Sequence, residues 1–387
     1  MSATKRPDWY DPDVYPEWRP SAPWVMEDMI AAEPQVTAST AAAVDAEAAE
    51  LAGWLRDSVA LGEPIVSSAV GTAGHAARGV AVALNEALGN ATAGRVEFRE
   101  SDDQARAPRE GGVCIAVSHG GMSTSTVNSL SSAKAAGART VLITASSGSP
   151  AHDLADLVLT LPVKDKSYCH TVGYTAPIVA GLVAGAHYRN ETFAAAEVES
   201  YLAGLSSLAT DAAPIGQAMA GVQRFIAAGS LVDEPSAREL ALDIAEGAWV
   251  PASVFGLEDV LHGHLVGHDG ASALTAVLTG GPSAGAAAGT AERVLRAAGR
   301  IGLRTAAIVT DRLADRIDDA ATNAGRLVLP TGAVPDIVVT LLGGALALQY
   351  LTMSLVYVKG VNPDLLRRDQ DPYREAVVVG GAKLPRR

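Results

Sequence analysis

The sequence predicts an α/β protein built from two parallel sheets flanked by helices. Short apolar runs alternate with helical patterns of about ten to fifteen residues, which is typical of parallel strands joined by crossover helices. One unit also recurs: Lys134–Thr144 and Arg300–Thr310 each contain an Arg-Thr pair followed by an apolar strand that ends in Thr. The length of 387 residues suits two such domains with additional arms.

The elements of the first half follow from periodicity and turn signals. Apolar spacing near 3.6 residues predicts a helix over 26–61. Buried strands are predicted at 65–70, 113–117, 140–144 and 156–161. A turn at 71–74 leads into a helix that ends near 88, and further helices are predicted up to 136 and over 175–188. Before these elements, residues 1–25 form an arm rich in Pro and aromatic residues and without a regular period.

The second half repeats this rhythm after a hinge at 190–220. Strands are predicted at 223–227, 274–278, 305–309 and 327–329, with a helix over 236–248. The uncharged stretch 337–358 is long enough to cross a membrane, but Thr340, Gln349 and Thr352 within it favour a buried core helix. The predicted units are the arm at 1–25, domains at 26–200 and 201–366, and a tail at 367–387.

Composition excludes several function classes. The formal net charge is −13 and Lys and Arg form no cluster, so we expect no nucleic-acid surface. Cys114 and Cys169 are too few for a disulfide framework or a zinc cluster of four ligands. The first thirty residues show no apolar core of a secretory signal, and we expect a soluble cytoplasmic protein with no membrane association.

The loop after the strand at 113–117 is the clearest candidate binding site. Residues 118–126 read Ser-His-Gly-Gly-Met-Ser-Thr-Ser-Thr. In an open parallel sheet ligands bind at the carboxyl ends of the strands, where glycines let backbone N–H groups approach an anion and hydroxyls act as donors. This pattern favours a phosphate or a polyol. The alternative is that Ser123 or Ser125 only caps the following helix.

The second half supplies candidate acid–base groups. Glu239 and Glu246 are seven residues apart, so their carboxylates project from nearly one face of the predicted helix. Glu246 and, sixteen residues later, His262 are the candidate acid–base residues. The alternative for Glu246 is an exposed helix carboxylate, and the alternative for His262 is a solvated or structural histidine. His262, His264 and His268 also suggest a metal site, but their spacing occurs without metal, and we expect none.

Over residues 26 to 365 the chain resembles the tandem SIS (sugar isomerase) family. The matching motifs are Gly71-Thr72, the loop at 118–123, Ile143-Thr144, Gly148-Ser149-Pro150 and Ala155-Asp156, and Met26–Pro34 is similar to the opening helix of the family. The arrangement is similar to the isomerase half of glucosamine-6-phosphate synthase, without the amidotransferase domain.

This resemblance implies an isomerase or deaminase that needs no cofactor and no metal. It implies that Glu246 is the enolisation base and that His262, supplied by a neighbouring subunit of a homodimer or higher homo-oligomer, opens the sugar ring. The substrate-binding residues that it implies are Thr72, Ser118, His119, Gly120, Ser123, Thr126, His170 and Thr171.

Departures from the family pattern qualify that implication. His119 and Gly120 replace Gln and Ser in the loop, Ala73 replaces Ser, and Asp371 stands where synthase-like members have a lysine. A carboxylate cannot form a Schiff base, so ammonia transfer is not expected. The sequence therefore predicts isomerisation or deamination of a sugar phosphate or aminosugar phosphate. The alternatives are a non-catalytic sugar-phosphate sensor and a specialised enzyme acting on a non-phosphorylated substrate.

Overall fold

The computed structural model describes residue 10, residues 17–89 and residues 95–380. The first domain contains a parallel sheet with strand order β2-β1-β3-β4-β5. Its elements are α1 Val25–Leu61, β1 Ile65–Ala69, α2 Gly71–Leu88, β2 Val96–Glu100, α3 Ser101–Arg106, β3 Val113–Val117, α4 Thr124–Ala135, β4 Arg139–Thr144, β5 Leu157–Thr160 and α5 Val172–Tyr188. The central strands β1 and β3 are buried at every position, as their continuous apolar runs predict.

The second domain repeats the first. Its sheet has the order β7-β6-β8-β9-β10, so in both domains the second strand lies at one edge and the other strands follow in the same sequence. The elements are α6 Ala195–Gly204, α7 Leu208–Ala218, β6 Arg224–Ala228, α8 Glu234–Gly247, β7 Ala252–Phe255, α9 Leu257–Leu261, β8 Ser272–Leu278, α10 Gly281–Ile301, β9 Arg304–Thr310, α11 Asp311–Ala314, β10 Gly325–Leu329, α12 Asp336–Val338, α13 Gly344–Lys359 and α14 Asp371–Val379. The predicted fold class is confirmed.

One long segment differs from the prediction, and another agrees with it. The hinge predicted at 190–220 folds into α6 and α7, and α7 packs against α13. The apolar segment continues without a break from α12 through a π-helical turn into α13. It is long and apolar enough to cross a membrane, yet 83% of its most apolar window is buried inside the protein. It is therefore a core helix, as predicted.

A residue from far along the sequence contacts the start of α1. The carboxylate of Asp364 accepts hydrogen bonds from the N–H groups of Val25 (2.9 Å) and Met26 (2.8 Å). These are free donors at a helix N-terminus, so Asp364 takes the role of a cap supplied from far along the sequence. Trp24 is buried beside them, whereas most of the predicted arm, residues 1–9 and 11–16, lies outside the described residues.

The domains contact each other directly through α2 and α8. In the first domain α2 follows β1, and in the second α8 follows β6, the strand at the equivalent place in the sheet. The first turns of α2 and the face of α8 that contacts α2, its inner face, therefore lie at the domain boundary. This boundary, the 118–126 loop and the segment after Asp364 together form the candidate site.

Candidate active site

The 118–126 loop has a backbone conformation that requires glycine at one position. Gly121 has a φ of +64° and its N–H donates to the hydroxyl oxygen of Ser118 at 3.1 Å. A Cβ atom at Gly121 would lie 2.0 Å from the hydroxyl oxygen of Ser149, so no larger residue fits there. Gly120 is different, because a Cβ atom at that position would have nothing within 4 Å. The serine that the family has at Gly120 would therefore fit.

The hydroxyls at the start of α4 do not cap the helix. Ser123 occupies the N-cap position, but its side chain makes no capping hydrogen bond. Its hydroxyl instead lies 3.0 Å from that of Ser125, and Thr126 is buried beneath them. The hydroxyl of Ser123 thus lies at a helix N-terminus without a backbone partner. This arrangement favours ligand binding over the capping-only interpretation.

Two histidines meet beside this loop. The rings of His119 and His170 are 4.5 Å apart and perpendicular, and the N–H of Asp165 donates to Nε2 of His119 at 3.0 Å. Burial, above all, lowers the pKa of each imidazole to about 4, helped by the positive charges of Lys164 and, for His170, of Arg368. Both rings are therefore neutral at pH 7. Because Nε2 of His119 accepts, its proton is on Nδ1.

Asp165 organises the turn that carries His170. Its buried carboxylate accepts hydrogen bonds from the N–H groups of Ser167, Thr171 and Gly173 at 3.0, 2.7 and 3.0 Å. Burial raises its pKa, although these hydrogen bonds oppose the shift. Thr171 is fully buried, and its hydroxyl lies 3.5 Å from the same carboxylate. Thr171 therefore shapes the wall of the site from within.

The domain boundary is joined by one short polar contact. Nδ1 of His75, on the first turns of α2, lies 2.6 Å from Oε2 of Glu239 on α8. Glu239 is buried, and its other oxygen, Oε1, has no partner among the described residues. Thr72 lies one turn before His75 and is half-buried. This contact fixes α8 against the start of α2.

Three carboxylates share the inner face of α8. Glu239, Asp243 and Glu246 follow the spacing of one helical face, and each has one buried oxygen without a hydrogen-bond partner in the described part of the chain. Burial and the charge of Glu239 raise the pKa of Glu246 to about 8, while Arg368 opposes the shift. Burial and the neighbouring glutamates also raise the pKa of Asp243. Sγ of Cys169 lies 3.7 Å from Oδ1 of Asp243.

Two arginines after Asp364 cover this face. The guanidinium of Arg367 lies over the rings of Trp249 and Tyr373, at 4.7 and 3.9 Å, and that of Arg368 lies 4.2 Å from the ring of Tyr168. They are half-buried. Asp371, which stands at the lysine position of the family, begins α14 and pairs with Arg374.

His262 does not join this group within its own chain. Its side chain is 74% exposed, and its recorded charged neighbour is Glu258, at 3.7 Å. The other two histidines of the predicted trio have separate partners: His264 stacks on Phe255 at 3.7 Å, and Nδ1 of His268 lies 3.1 Å from the hydroxyl of Ser272. Among the described residues no three His, Cys, Asp or Glu side chains group as metal ligands.

The structure connects three of the predicted residues: His119, His170 and Glu246. A chain of contacts and charge interactions runs from the 118–126 loop through His119 and His170 to Arg368 and Glu246. Sequence analysis did not select His75, Asp165, Asp243 and Arg368. Two of them had a signal: Asp243 lies on the helical face shared by Glu239 and Glu246, and Arg368 belongs to an Arg-Arg pair that could reach an anion, although such a pair is more often solvated.

Comparison with known proteins identifies the first domain. Residues 63–186 match the model of the SIS domain. The first domain is a SIS domain. The second domain repeats the strand order of this SIS domain, which gives the tandem arrangement that the sequence predicts. No curated protein matches the chain as a whole.

Solved structures share the fold over most of the chain. The C-terminal domain of glucosamine-fructose-6-phosphate aminotransferase from Francisella tularensis aligns with a TM-score of 0.74 and 17% identity, over 90% of this chain and 99% of that one. Tagatose-6-phosphate ketose/aldose isomerase from Escherichia coli gives 0.72 and 18%, over 90% and 98%. Glucosamine-6-phosphate deaminase from Thermotoga maritima gives 0.63 and 14%, over 84% and 97%. At these identities the likeness establishes the fold alone.

Proposed function

We propose that this protein is a SIS-family isomerase or deaminase that acts on a sugar phosphate or aminosugar phosphate. The observation that carries the proposal is Glu246. Its Oε2 is buried without a partner among the described residues, burial raises its pKa to about 8, and Arg368, whose charge acts on it, also acts on His170. The solved structures with the same fold include proteins described as an isomerase and a deaminase of such sugars.

A carboxyl group with this pKa suits proton transfer between adjacent carbons. In the open-chain sugar, the Glu246 carboxylate takes the proton from C2, and the electrons of that C–H bond form the C1–C2 double bond. The π pair of the C1 carbonyl moves onto O1, which takes a proton from solvent, and the product is an enediol, or an enolamine when C2 carries an amine. The carboxylic acid then returns the proton to C1 while the oxygen or nitrogen on C2 releases a proton to solvent, which gives a ketone or an imine, and water hydrolyses the imine to release ammonia. A pKa near the working pH makes both steps accessible, and the charge of Arg368 favours the ionised form that starts them.

The anionic end of the substrate is proposed to lie against the 118–126 loop. The residues of this proposal are Thr72, Ser118, His119, Gly120, Ser123, Thr126, His170 and Thr171. Among them, Ser118 already accepts the N–H of Gly121, and Thr171 is fully buried beside Asp165. We therefore assign direct contact to Ser123 and the N–H of neutral His119, and a supporting role to Ser118 and Thr171.

Deuterium exchange tests the base. The protein is incubated with fructose 6-phosphate, tagatose 6-phosphate or glucosamine 6-phosphate in deuterated water, and label at C1 and C2 is followed by NMR. We expect exchange in the wild-type protein and a loss of at least a hundredfold in Glu246→Gln, which keeps the shape but cannot accept the proton. Glu197→Gln changes an exposed glutamate on α6 and serves as the matched control. Undiminished exchange in Glu246→Gln would remove the assignment.

The ring-opening role of His262 requires a second copy of the chain. His262 is exposed and paired with Glu258, and the site around Glu246 lacks it. We therefore propose a cytoplasmic homodimer, or higher homo-oligomer, in which His262 of one copy reaches the Glu246 of another. Mixing inactive Glu246→Gln and His262→Ala chains, after dissociation and reassembly, should restore part of the activity. A monomer at assay concentration, or no restoration, would contradict the shared site.

A sugar-phosphate sensor is the second candidate, and Gly120 favours it. The open space at Gly120 is where the family has a serine hydroxyl, so this loop offers one donor fewer for catalytic positioning. Thermal-shift measurements with the same sugar phosphates distinguish the two functions. A sensor is stabilised by a ligand whose C1 and C2 protons never exchange. The same screen with unphosphorylated sugars tests the specialised enzyme.

A further inference from the structure

The turn that carries Arg367 and Arg368 has an unusual backbone. Leu366 has a φ of 47° and Arg367 a φ of 58°, and Trp249, on which Arg367 stacks, has a φ of 59°. In the described part of the chain these three are among only five non-glycine residues with positive φ. Each such residue costs about 1–3 kcal/mol unless its surroundings hold it in place. Strain therefore concentrates where the arginines meet the end of α8.

The side chains themselves are held by aromatic rings rather than by carboxylates. Arg367 contacts two rings and donates to the side-chain oxygen of Gln370 at 3.1 Å, and Arg368 covers the ring of Tyr168. The Nε atom of each arginine is buried and has no hydrogen-bond partner among the described residues. No ion pair with a carboxylate is recorded for either residue in the described part of the chain.

Of the two, Arg368 lies closer to the candidate site. Its charge acts on Glu246 and on His170, whereas Arg367 is occupied by Trp249 and Tyr373. His170 and its neighbour His119 are neutral at pH 7, so they offer N–H donors but no positive charge. Gly120 also lacks the hydroxyl that the family loop provides. Lys164, which is exposed, and Arg368 are the two cations whose charge acts on His170, and of the two only Arg368 also acts on Glu246.

We propose that Arg368 binds an oxyanion of the substrate and that Arg367 positions it by stacking between Trp249 and Tyr373. This inference rests on the proposed function for the location of the site. It places the main contact with the anion on the turn at 366–368 instead of on the 118–126 loop. A guanidinium forks onto a carboxylate or a phosphate with two parallel hydrogen bonds, and the unpartnered Nε of Arg368 is one of the donors that such a fork uses.

Two chemical sources can supply this oxyanion. One is the phosphate at the far end of a sugar phosphate, shared between Arg368 and the loop. The other is the C6 carboxylate of a uronic acid, which lies at the same far end of the open-chain sugar. A phosphate on C1 itself is excluded, because it would mask the carbonyl that opening of the ring must release.

Isothermal titration calorimetry tests the proposal with three probes: inorganic phosphate, glucose 6-phosphate and glucuronate. The variants are Arg368→Met, which keeps the length of the stem, and Arg368→Lys, which keeps the charge but not the fork. Arg56→Met is the matched control, since Arg56 also lies over a tyrosine ring, at 5.7 Å from Tyr188, with no recorded carboxylate partner. Melting temperatures without ligand verify that each variant is folded.

We expect at least one probe to bind the wild-type protein and to bind Arg368→Met at least tenfold more weakly, with Arg368→Lys between them and Arg56→Met unchanged. Preference for glucuronate identifies a carboxylate, and preference for glucose 6-phosphate identifies a phosphate. If Arg368→Met does not fold, the comparison of Arg368→Lys with the wild type decides, and a loss below twofold overturns the proposal.

Failure of this proposal is distinguishable from failure of the proposed function. Affinity that survives in Arg368→Met but falls in Ser123→Ala returns the anion to the loop and overturns the role of Arg368. The exchange assay then still reports on Glu246 independently. Binding that depends on Arg368 without any exchange supports the anion site and contradicts the enzyme.

Discussion

The buried carboxyl group of Glu33 gives a prediction that can be worked out in full. Glu33 lies on α1 with no exposure, its Oε1 accepts from Nε2 of Gln349 at 3.1 Å, and its Oε2 accepts from the hydroxyl of Thr175. Burial raises its pKa from the ordinary 4.5 to about 8, and the two hydrogen bonds only partly oppose this. The native protein therefore keeps Glu33 protonated at pH 7.

The sign of the pH dependence follows from proton binding. Between pH 4.5 and pH 8 the native state binds a proton on Glu33 that the unfolded chain has released, so the free energy of unfolding falls as pH rises. At 1.36 kcal/mol for each pKa unit, the whole interval corresponds to about 5 kcal/mol, and the part between pH 5.5 and pH 8 to about 3 kcal/mol. Glutamine at this position carries no titrating proton; its carbonyl oxygen can accept from Nε2 of Gln349, and its NH2 group can donate to the hydroxyl oxygen of Thr175.

Urea unfolding of the wild type and Glu33→Gln at pH 5.5 and pH 8 measures this effect. We expect the free energy of unfolding of Glu33→Gln, relative to the wild type, to increase by about 3 kcal/mol between the two pH values. Other buried acids, such as Glu246, titrate in both proteins and cancel in the comparison. Glu197→Gln, on the exposed side of α6, should run parallel to the wild type. A constant difference between Glu33→Gln and the wild type would refute a protonated Glu33.

Three further predictions concern the candidate site and its surroundings. Replacing His75 by Leu removes the 2.6 Å partner of buried Glu239 and should lower the free energy of unfolding by about 3 kcal/mol. His75→Gln should lower it less, and an unchanged urea midpoint in His75→Leu would contradict the prediction. Gly120→Ser should change the melting temperature little, whereas Gly121→Ala should lower it clearly, and equal effects would refute the loop geometry. Burial raises the pKa of Cys114 to about 12, so a thiol reagent at pH 8 should modify it only after unfolding.

Most of the fold could be predicted from the sequence, because buried parallel strands are continuous apolar runs. It missed β2 and β7, which read Val-Glu-Phe-Arg-Glu and Ala-Ser-Val-Phe. Both strands lie at sheet edges and are only partly buried, so their sequences mix polar and apolar residues. The hinge at 190–220 was also misjudged, because the helices α6 and α7 bury only a few residues each.

The candidate site was predictable only where its residues are close in sequence. The shared face of Glu239 and Glu246 followed from helical spacing, and the 118–126 loop from its glycines and hydroxyls. The contact of His75 with Glu239 joins residues 164 positions apart, and the contact of Arg368 with Tyr168 joins residues that are also far apart in the sequence. A single sequence contains no information on which distant residues meet, so these partners needed the structure.

The energetics of the domain boundary argue that it is kept for chemistry rather than for stability. Glu239, Asp243 and Glu246 each leave a buried oxygen unpartnered among the described residues, and each such atom costs about 1–3 kcal/mol. The strained turn at Arg367 adds a further cost of the same order. Apolar residues on this face of α8 would stabilise the boundary more, as they do elsewhere in α8 at Leu240. Unsatisfied buried polar atoms and strained backbone often occur together at functional sites, and here both occur at this boundary. Stabilisation of the boundary by Asp243→Leu, with loss of ligand binding, is the result that this argument requires.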